Sequence, residues 1–164
     1  MSTFPEDASN SSSPIVIDMI FSLSGNLAGA RETVVADWTV RDHYDYAFGA
    51  TQHQIRCVRG RPDEEGKMYP DFEIQSQIKD ERARKFLRGE VLQDGSRSEW
   101  CVSDGKDVWV HTFARSVRAG WTAEHIWGFE VIDGTRYHTR RVVASNEKGQ
   151  WAAARAVYRF VPRD

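Results

Sequence analysis

The chain has little cysteine, little proline, no charge excess and no long hydrophobic run, and each shortage removes a class of function. Cys57 and Cys101 are its two cysteines; they lie far apart and outside any Cys-x-x-Cys spacing. That argues against a zinc site or a disulfide framework and for two small buried thiols. Lys and Arg number 22 against 24 Asp and Glu, a formal charge of -2 in 164 residues, so no global field draws the chain to nucleic acid or an anionic membrane. The longest apolar stretch, Ile15 to Leu23, is interrupted by Asp18 and Ser22 and is too short to span a bilayer.

Signature motifs are missing as well. There is no Walker A loop, no Gly-x-Gly-x-x-Gly and no Gly-x-Ser-x-Gly, which speaks against nucleotide cofactors and covalent nucleophile chemistry. The five histidines, His43, His53, His111, His125 and His138, form no His-x-His or His-x-x-x-His pair, so neither a metal nor any other cofactor is expected. Met1 to Pro14 is Ser, Asn, Asp and Pro without a basic region and apolar core. Residues 1–13 therefore read as a disordered tail rather than a secretory signal, and 14–164 as one domain in a cytoplasmic protein.

What the chain does have is three Asp-Gly dipeptides, Asp94-Gly95, Asp104-Gly105 and Asp133-Gly134, set between runs of β-branched and aromatic residues, the strongest short-range signal for two-residue hairpin turns. Seven consecutive strands are predicted: Phe72 to Ile78, Phe86 to Gln93, Arg97 to Ser103, Lys106 to Arg115, Trp121 to Ile132, Thr135 to Ser145 and Gln150 to Val161. Short connections make successive strands antiparallel neighbours. Before them, Pro14 to Leu23 reads as a strand, Asn26 to Val40 as a short helix followed by a strand, and Arg59 to Pro70 as a surface loop. The expected fold is all-β, an antiparallel up-and-down meander closed into a barrel, since open edges invite aggregation.

Two-residue turns make flanking residues partners, which assigns faces. The turn at Asp133-Gly134 sets Trp127 opposite Arg140, Phe129 opposite His138, Glu130 opposite Tyr137 and Ile126 opposite Arg141. The turn at Asp104-Gly105 sets Trp100 opposite Trp109. A four-residue loop over Asn146 to Gly149 sets Arg140 opposite Arg155, Arg136 opposite Arg159 and Tyr137 opposite Tyr158; a five-residue loop over Ser116 to Gly120 puts Trp109 beside Trp127. One face then carries Trp100, Trp109, Trp127, His111, His125, Phe129, His138 and several arginines and is expected to point outward. A homodimer contact is the natural use of its Trp row.

The other face carries Val108, Val110, Ile126, Gly128, Val143 and small alanines around Glu99, Glu124, Glu130, Tyr137, Arg141 and Tyr158. It is expected to line a pocket. There Glu130 and Tyr137 are the candidate catalytic pair, a carboxylate with a raised pKa beside a phenol. Arg141, Tyr158, Glu99 and Glu124 are the candidate substrate-binding groups, with Arg141 expected to keep part of its guanidinium free for a ligand oxygen. The competing reading of Glu and Arg facing inward together is an ion pair tying strands together.

The meander, preceded by a strand containing Trp38 and ended by the Arg-bearing strand Arg155 to Val161, resembles the lipocalin-like (calycin) barrels in topology. Where those families carry Gly-x-Trp in the first strand, this chain has Ala36-Asp37-Trp38. The resemblance implies a barrel holding a small apolar or aromatic molecule, and likeness to intracellular lipocalin-like enzymes implies cofactor-free cyclisation, isomerisation or dehydration of it. A non-catalytic carrier and a Trp/Arg interaction module are the alternatives. The rival fold is the cone shared by polyketide cyclases and dehydratases, which requires helices before residue 70.

Overall fold

The structure, a computed structural model, describes residues 15–20, 31–103 and 107–162. The tail, the helix expected after Asn26 as far as residue 30, and the Asp104-Gly105 turn lie outside the described residues. Strands β1 (Ile15–Ile20) and β2 (Arg31–Ala36) form a two-stranded antiparallel sheet. The larger sheet is a meander in which β3 (Arg41–Asp45), β4 (Gly49–Pro62), β6 (Val108–Ser116), β7 (Trp121–Ile132), β8 (Thr135–Asn146) and β9 (Trp151–Tyr158) lie in that order, with β5 (Met68–Pro70) paired to β4. All pairs are antiparallel. Among the described residues the fold is thus all-β with one short helix, and the sheet stays open, with β3 and β9 at its edges.

The last four expected strands are present, and the first three are corrected. Residues 71–80 run without a strand, and 97–103 contribute only isolated bridging, as in Val91 opposite Arg97. Phe86 to Gln93 is overridden by α1 (Glu81–Arg88). Asp80 caps that helix by accepting from the backbone N–H groups of Arg82 and Ala83, and Gly89 ends it at φ 84°, a left-handed conformation that glycine adopts without strain. Ala83, Phe86 and Leu87 stand three and four residues apart and form its buried stripe. The expected loop before Pro70 is instead a hairpin of β4 and β5, turned by Asp63, whose carboxylate accepts from Glu65 N and Lys67 N. Among the described residues α1 is the helix, and it lies after residue 80, so the helices that the cone-shaped rival needs before residue 70 are not found there.

Two cores flank the sheet. α1 and the chain around it cover one face, where Phe86, Leu87, Ile78, Trp100, Trp109, Ile126 and Val143 pack together. The β1–β2 hairpin covers part of the other, with Ile17 and Met19 against Val110 and Trp127. Gly128 on β7 leaves room for two indoles: a Cβ there would stand 2.6 Å from Trp109 Cδ1 and 2.8 Å from Trp100 Cε3.

The Asp133-Gly134 hairpin has the expected register, Trp127 with Arg140 and Glu130 with Tyr137, with both turn residues at positive φ. Two other registers differ by one residue. The β8–β9 connection is a three-residue loop, 147–149, with Gly149 at φ 78°, so His138 rather than Tyr137 pairs with Tyr158, and Arg141 rather than Arg140 pairs with Arg155. The β6–β7 loop is 117–120, four residues rather than five, so Val110 rather than Trp109 pairs with Trp127. Because side chains alternate along a strand, each slip turns a whole strand over.

The small-residue face predicted to be a pocket is therefore split: Ile126 and Val143 lie in a filled core beneath α1, whereas Val110 and Ala156 fall on the opposite face with Trp127 and Arg140. The Trp row is corrected too. Trp100 and Trp109 meet edge to face at 6.2 Å inside the α1 core, Trp127 lies under the β1–β2 hairpin, and all three are buried. They offer no exposed surface for a homodimer contact.

Candidate functional site

Glu130 on β7 is the centre of the polar group inside the α1 core. Arg141 Nη2 donates to its Oε1 at 2.7 Å, Arg141 Nε donates to Oε2 at 3.4 Å, and the Thr139 hydroxyl donates to Oε2. Arg155 Nη1 adds a bond to Oε1 at 3.2 Å, delivered by the same one-residue register change that places β9 here. Burial pushes the Glu130 carboxyl up, but the Arg141 hydrogen bonds and charge, with Thr139 and Arg155, outweigh it and hold the group below its ordinary value. The raised pKa expected of this carboxylate is corrected.

Arg141 is fully buried, and its five N–H groups all have acceptors. Besides Glu130, Nη1 donates to Phe86 O at 3.0 Å and Val91 O at 2.6 Å, and Nη2 to Ser98 Oγ at 2.7 Å. The fork expected to be left for a ligand instead ties β8 to the end of α1 and to the loop after it.

The remaining predicted residues are spread out. Glu99 is exposed and pairs with Lys67 Nζ at 2.7 Å. Tyr137 is half-buried opposite Glu130. Tyr158 lies on the opposite face, beside His138 and under Arg140. Glu124 shares the α1 face with Glu130 but is six residues along β7, about 20 Å away at strand rise. Glu130, Arg141 and, at its rim, Glu99 are therefore brought together, while Glu124 and Tyr158 are not.

Glu124 belongs to a second buried group. His111 Nε2 lies 2.7 Å from Glu124 Oε1, and the carboxylate also accepts from Gln75 N, Ser76 N and Ser76 Oγ. Arg56 Nε donates to His111 Nδ1 at 3.0 Å, which fixes the imidazole as the Nε2–H tautomer donating to Glu124. Burial holds His111 below its usual range against the opposing pull of Glu124. Trp38 stacks on the imidazole at 4.9 Å, and Phe72 lies tilted against it at 4.6 Å. Trp38 holds φ at +61°, a strained backbone for a bulky residue, and its N–H donates to Ile55 O. His125 points to the other face, so it and His111 are not neighbours. Cys57 and Cys101 are free thiols and half-buried.

An open space adjoins the Glu130 group. A cavity of about 370 Å³ is lined by Ser98, Glu130 and Arg155 with Lys67, Arg97 and Glu99 around them, and Leu92, Val131 and Ile132 supply its apolar wall. A smaller one of about 210 Å³ lies between α1 and β9. Sequence reasoning missed Ser98 and Arg155, the former because residues 97–103 were read as a strand. Among the described residues no cluster of three or more His, Cys, Asp or Glu side chains is arranged to hold a metal ion, and no helix is long and apolar enough to cross a membrane. No protein-family model matches the chain, and neither a curated protein nor a solved structure matches it at a significant level.

Proposed function

We propose that the protein binds a small anionic molecule with an apolar part in the cavity above Glu130 and Arg155. The observation that carries the reading is the cavity's charge balance. Glu130 is already answered by the buried Arg141 and Glu99 by Lys67, whereas Arg155 makes one bond to Glu130 and turns the rest of its guanidinium toward the space. A carboxylate or phosphate oxygen would complete the Arg155 fork, and Leu92, Val131 and Ile132 would cover an apolar body. Binding by this account is a carrier or sensor function, with Glu130 holding the cation in place.

Catalysis is the second reading, favoured by the direct cross-strand pairing of Glu130 with Tyr137. In it the pair would move a proton on the bound molecule in a cofactor-free isomerisation, cyclisation or dehydration. Closure of the meander into a lipocalin-like barrel is part of the same reading and would need a partner for the β3 or β9 edge. Mass spectrometry of small molecules retained through purification tests binding: a species present on the parent protein and absent from Arg155→Gln supports it, and equal retention overturns it. Turnover of that species, lost in both Glu130→Gln and Tyr137→Phe while it still binds, would favour catalysis.

A further inference from the structure

The sheet face away from α1 carries its own polar irregularity. Val110, Trp127, Arg140 and Ala156 form one row across β6, β7, β8 and β9. The Arg140 guanidinium carbon lies 3.9 Å over the Trp127 ring and 5.0 Å from the Tyr158 ring. His138 lies tilted against Tyr158 at 5.4 Å and against Phe129 at 5.6 Å, so the aromatic wall continues from Arg140 to Phe129, where Arg136 stacks at 4.0 Å.

Two donors in this row have no acceptor. Trp127 Nε1 and Arg140 Nε are buried and unbonded, and Trp127 is only 7% exposed. A buried unsatisfied donor costs about 1–3 kcal/mol, and native proteins carry few of them. Here two occur on one stacked pair. Among the described residues no carboxylate pairs with Arg140, although its buried neighbour Arg141 is fully matched. The sequence also clears space beside it: Ala154 and Ala156 on β9 are exposed and short, and Tyr158 is 44% exposed, so the group opens to solvent on the β9 side.

We infer that Arg140 and Trp127 form a binding site for a flat carboxylate-bearing molecule, distinct from the cavity at Glu130 on the other face of the sheet. The two carboxylate oxygens would accept from the indole N–H and from the guanidinium, which removes both unsatisfied donors at once. The planar body would lie against Tyr158 and His138, over the floor made by Ala154 and Ala156. Entry is from the β9 side, by rotation of the half-buried Arg140 side chain on its flexible stem.

The probe is 4-fluorobenzoate, followed by its fluorine resonance and by the indole N–H cross-peaks of the protein, with the Trp127 peak identified by its loss in Trp127→Phe. Titration is expected to move the Trp127 indole proton downfield and to broaden the fluorine line. Arg140→Gln and Trp127→Phe should each weaken binding at least tenfold and severalfold, respectively. Trp127→Phe keeps an aromatic, though smaller, side chain under Arg140 and deletes the indole donor, so it reports even where Arg140→Gln does not fold. Arg155→Gln, on the other face, should leave the Trp127 indole shift unchanged whatever it does to the fluorine line, which separates this site from the cavity. The inference is overturned if the Trp127 peak is unmoved by the probe, if neutral 4-fluorobenzamide moves it as far, or if inorganic phosphate moves it and 4-fluorobenzoate does not.

Discussion

Arg141 and Glu130 stand four residues off direct register on neighbouring strands, yet their side chains meet at 2.7 Å, with exposures of 0% and 3%. A buried ion pair is weak evidence for net stability, because desolvating two charges offsets most of their attraction. What this pair adds is connection. Through Phe86 O, Val91 O and Ser98 Oγ the same guanidinium reaches three points of the chain that covers the sheet. The ion pair is therefore a strut between sheet and covering layer.

Arg141→Lys should lower the stability by about 3 kcal/mol, since an ammonium has three donors and cannot serve Glu130, two carbonyls and a hydroxyl together. Glu130→Gln should cost a similar amount by leaving the Arg141 charge buried without its partner. Urea unfolding followed by tryptophan fluorescence measures both. A midpoint unchanged in Arg141→Lys would show that the strut carries no load.

How far the sequence could be read depended on loop length. The β7–β8 pairing was legible because Asp133-Gly134 admits one tight turn, and the whole ladder from Trp121 to Asn146 follows from it. Asn146 to Gly149 carries an equally physical signal, an Asn at the start and a Gly at the left-handed position of a three-residue loop. Reading it as four residues turned β9 over, hiding Arg155 from Glu130 and giving Tyr158 a place in the pocket. The same error at Val117 to Gly120 put His111 on the wrong face, so its bond to Glu124 could not be foreseen. α1 was masked differently. Asp80 and Gly89 are a sound pair of helix ends, but the apolar residues between Phe86 and Gln93 satisfy a strand pattern as well, and only packing against β7 and β8 decides.

Gly128→Ala should destabilise by about 2 kcal/mol, because the added methyl meets both the Trp109 and the Trp100 rings below contact distance in a core without slack. Combining it with Trp100→Leu should cost less than the sum of the two single changes, since the leucine vacates the space the methyl needs. Denaturant midpoints of the four proteins measure this. Strict additivity would mean that the indoles do not confine Gly128.

Stability should fall steadily as the pH drops from about 6.5 to 4. Burial, with the charge of Arg140 nearby, holds His125 and His138 down to about 4 from an ordinary 6.5. Across that window the unfolded chain binds protons that the folded one refuses, so unfolding takes up protons and acid favours it. Glu130 and Glu124 act in the same direction at the lower end, because each is held below its ordinary value in the fold. Their share of the stability is present above the unfolded carboxyl pKa and is lost as the pH falls through the folded one. The two causes separate by mutation. His138→Phe with His125→Phe should reduce the slope of the melting temperature between pH 6.5 and 5, with His111, also held low by burial, supplying the remainder, and leave the decline nearer pH 4, which belongs to the carboxylates. Thermal melts at constant ionic strength in half-unit steps read both parts; a double variant with an unchanged profile above pH 5 would remove His125 and His138 as its source.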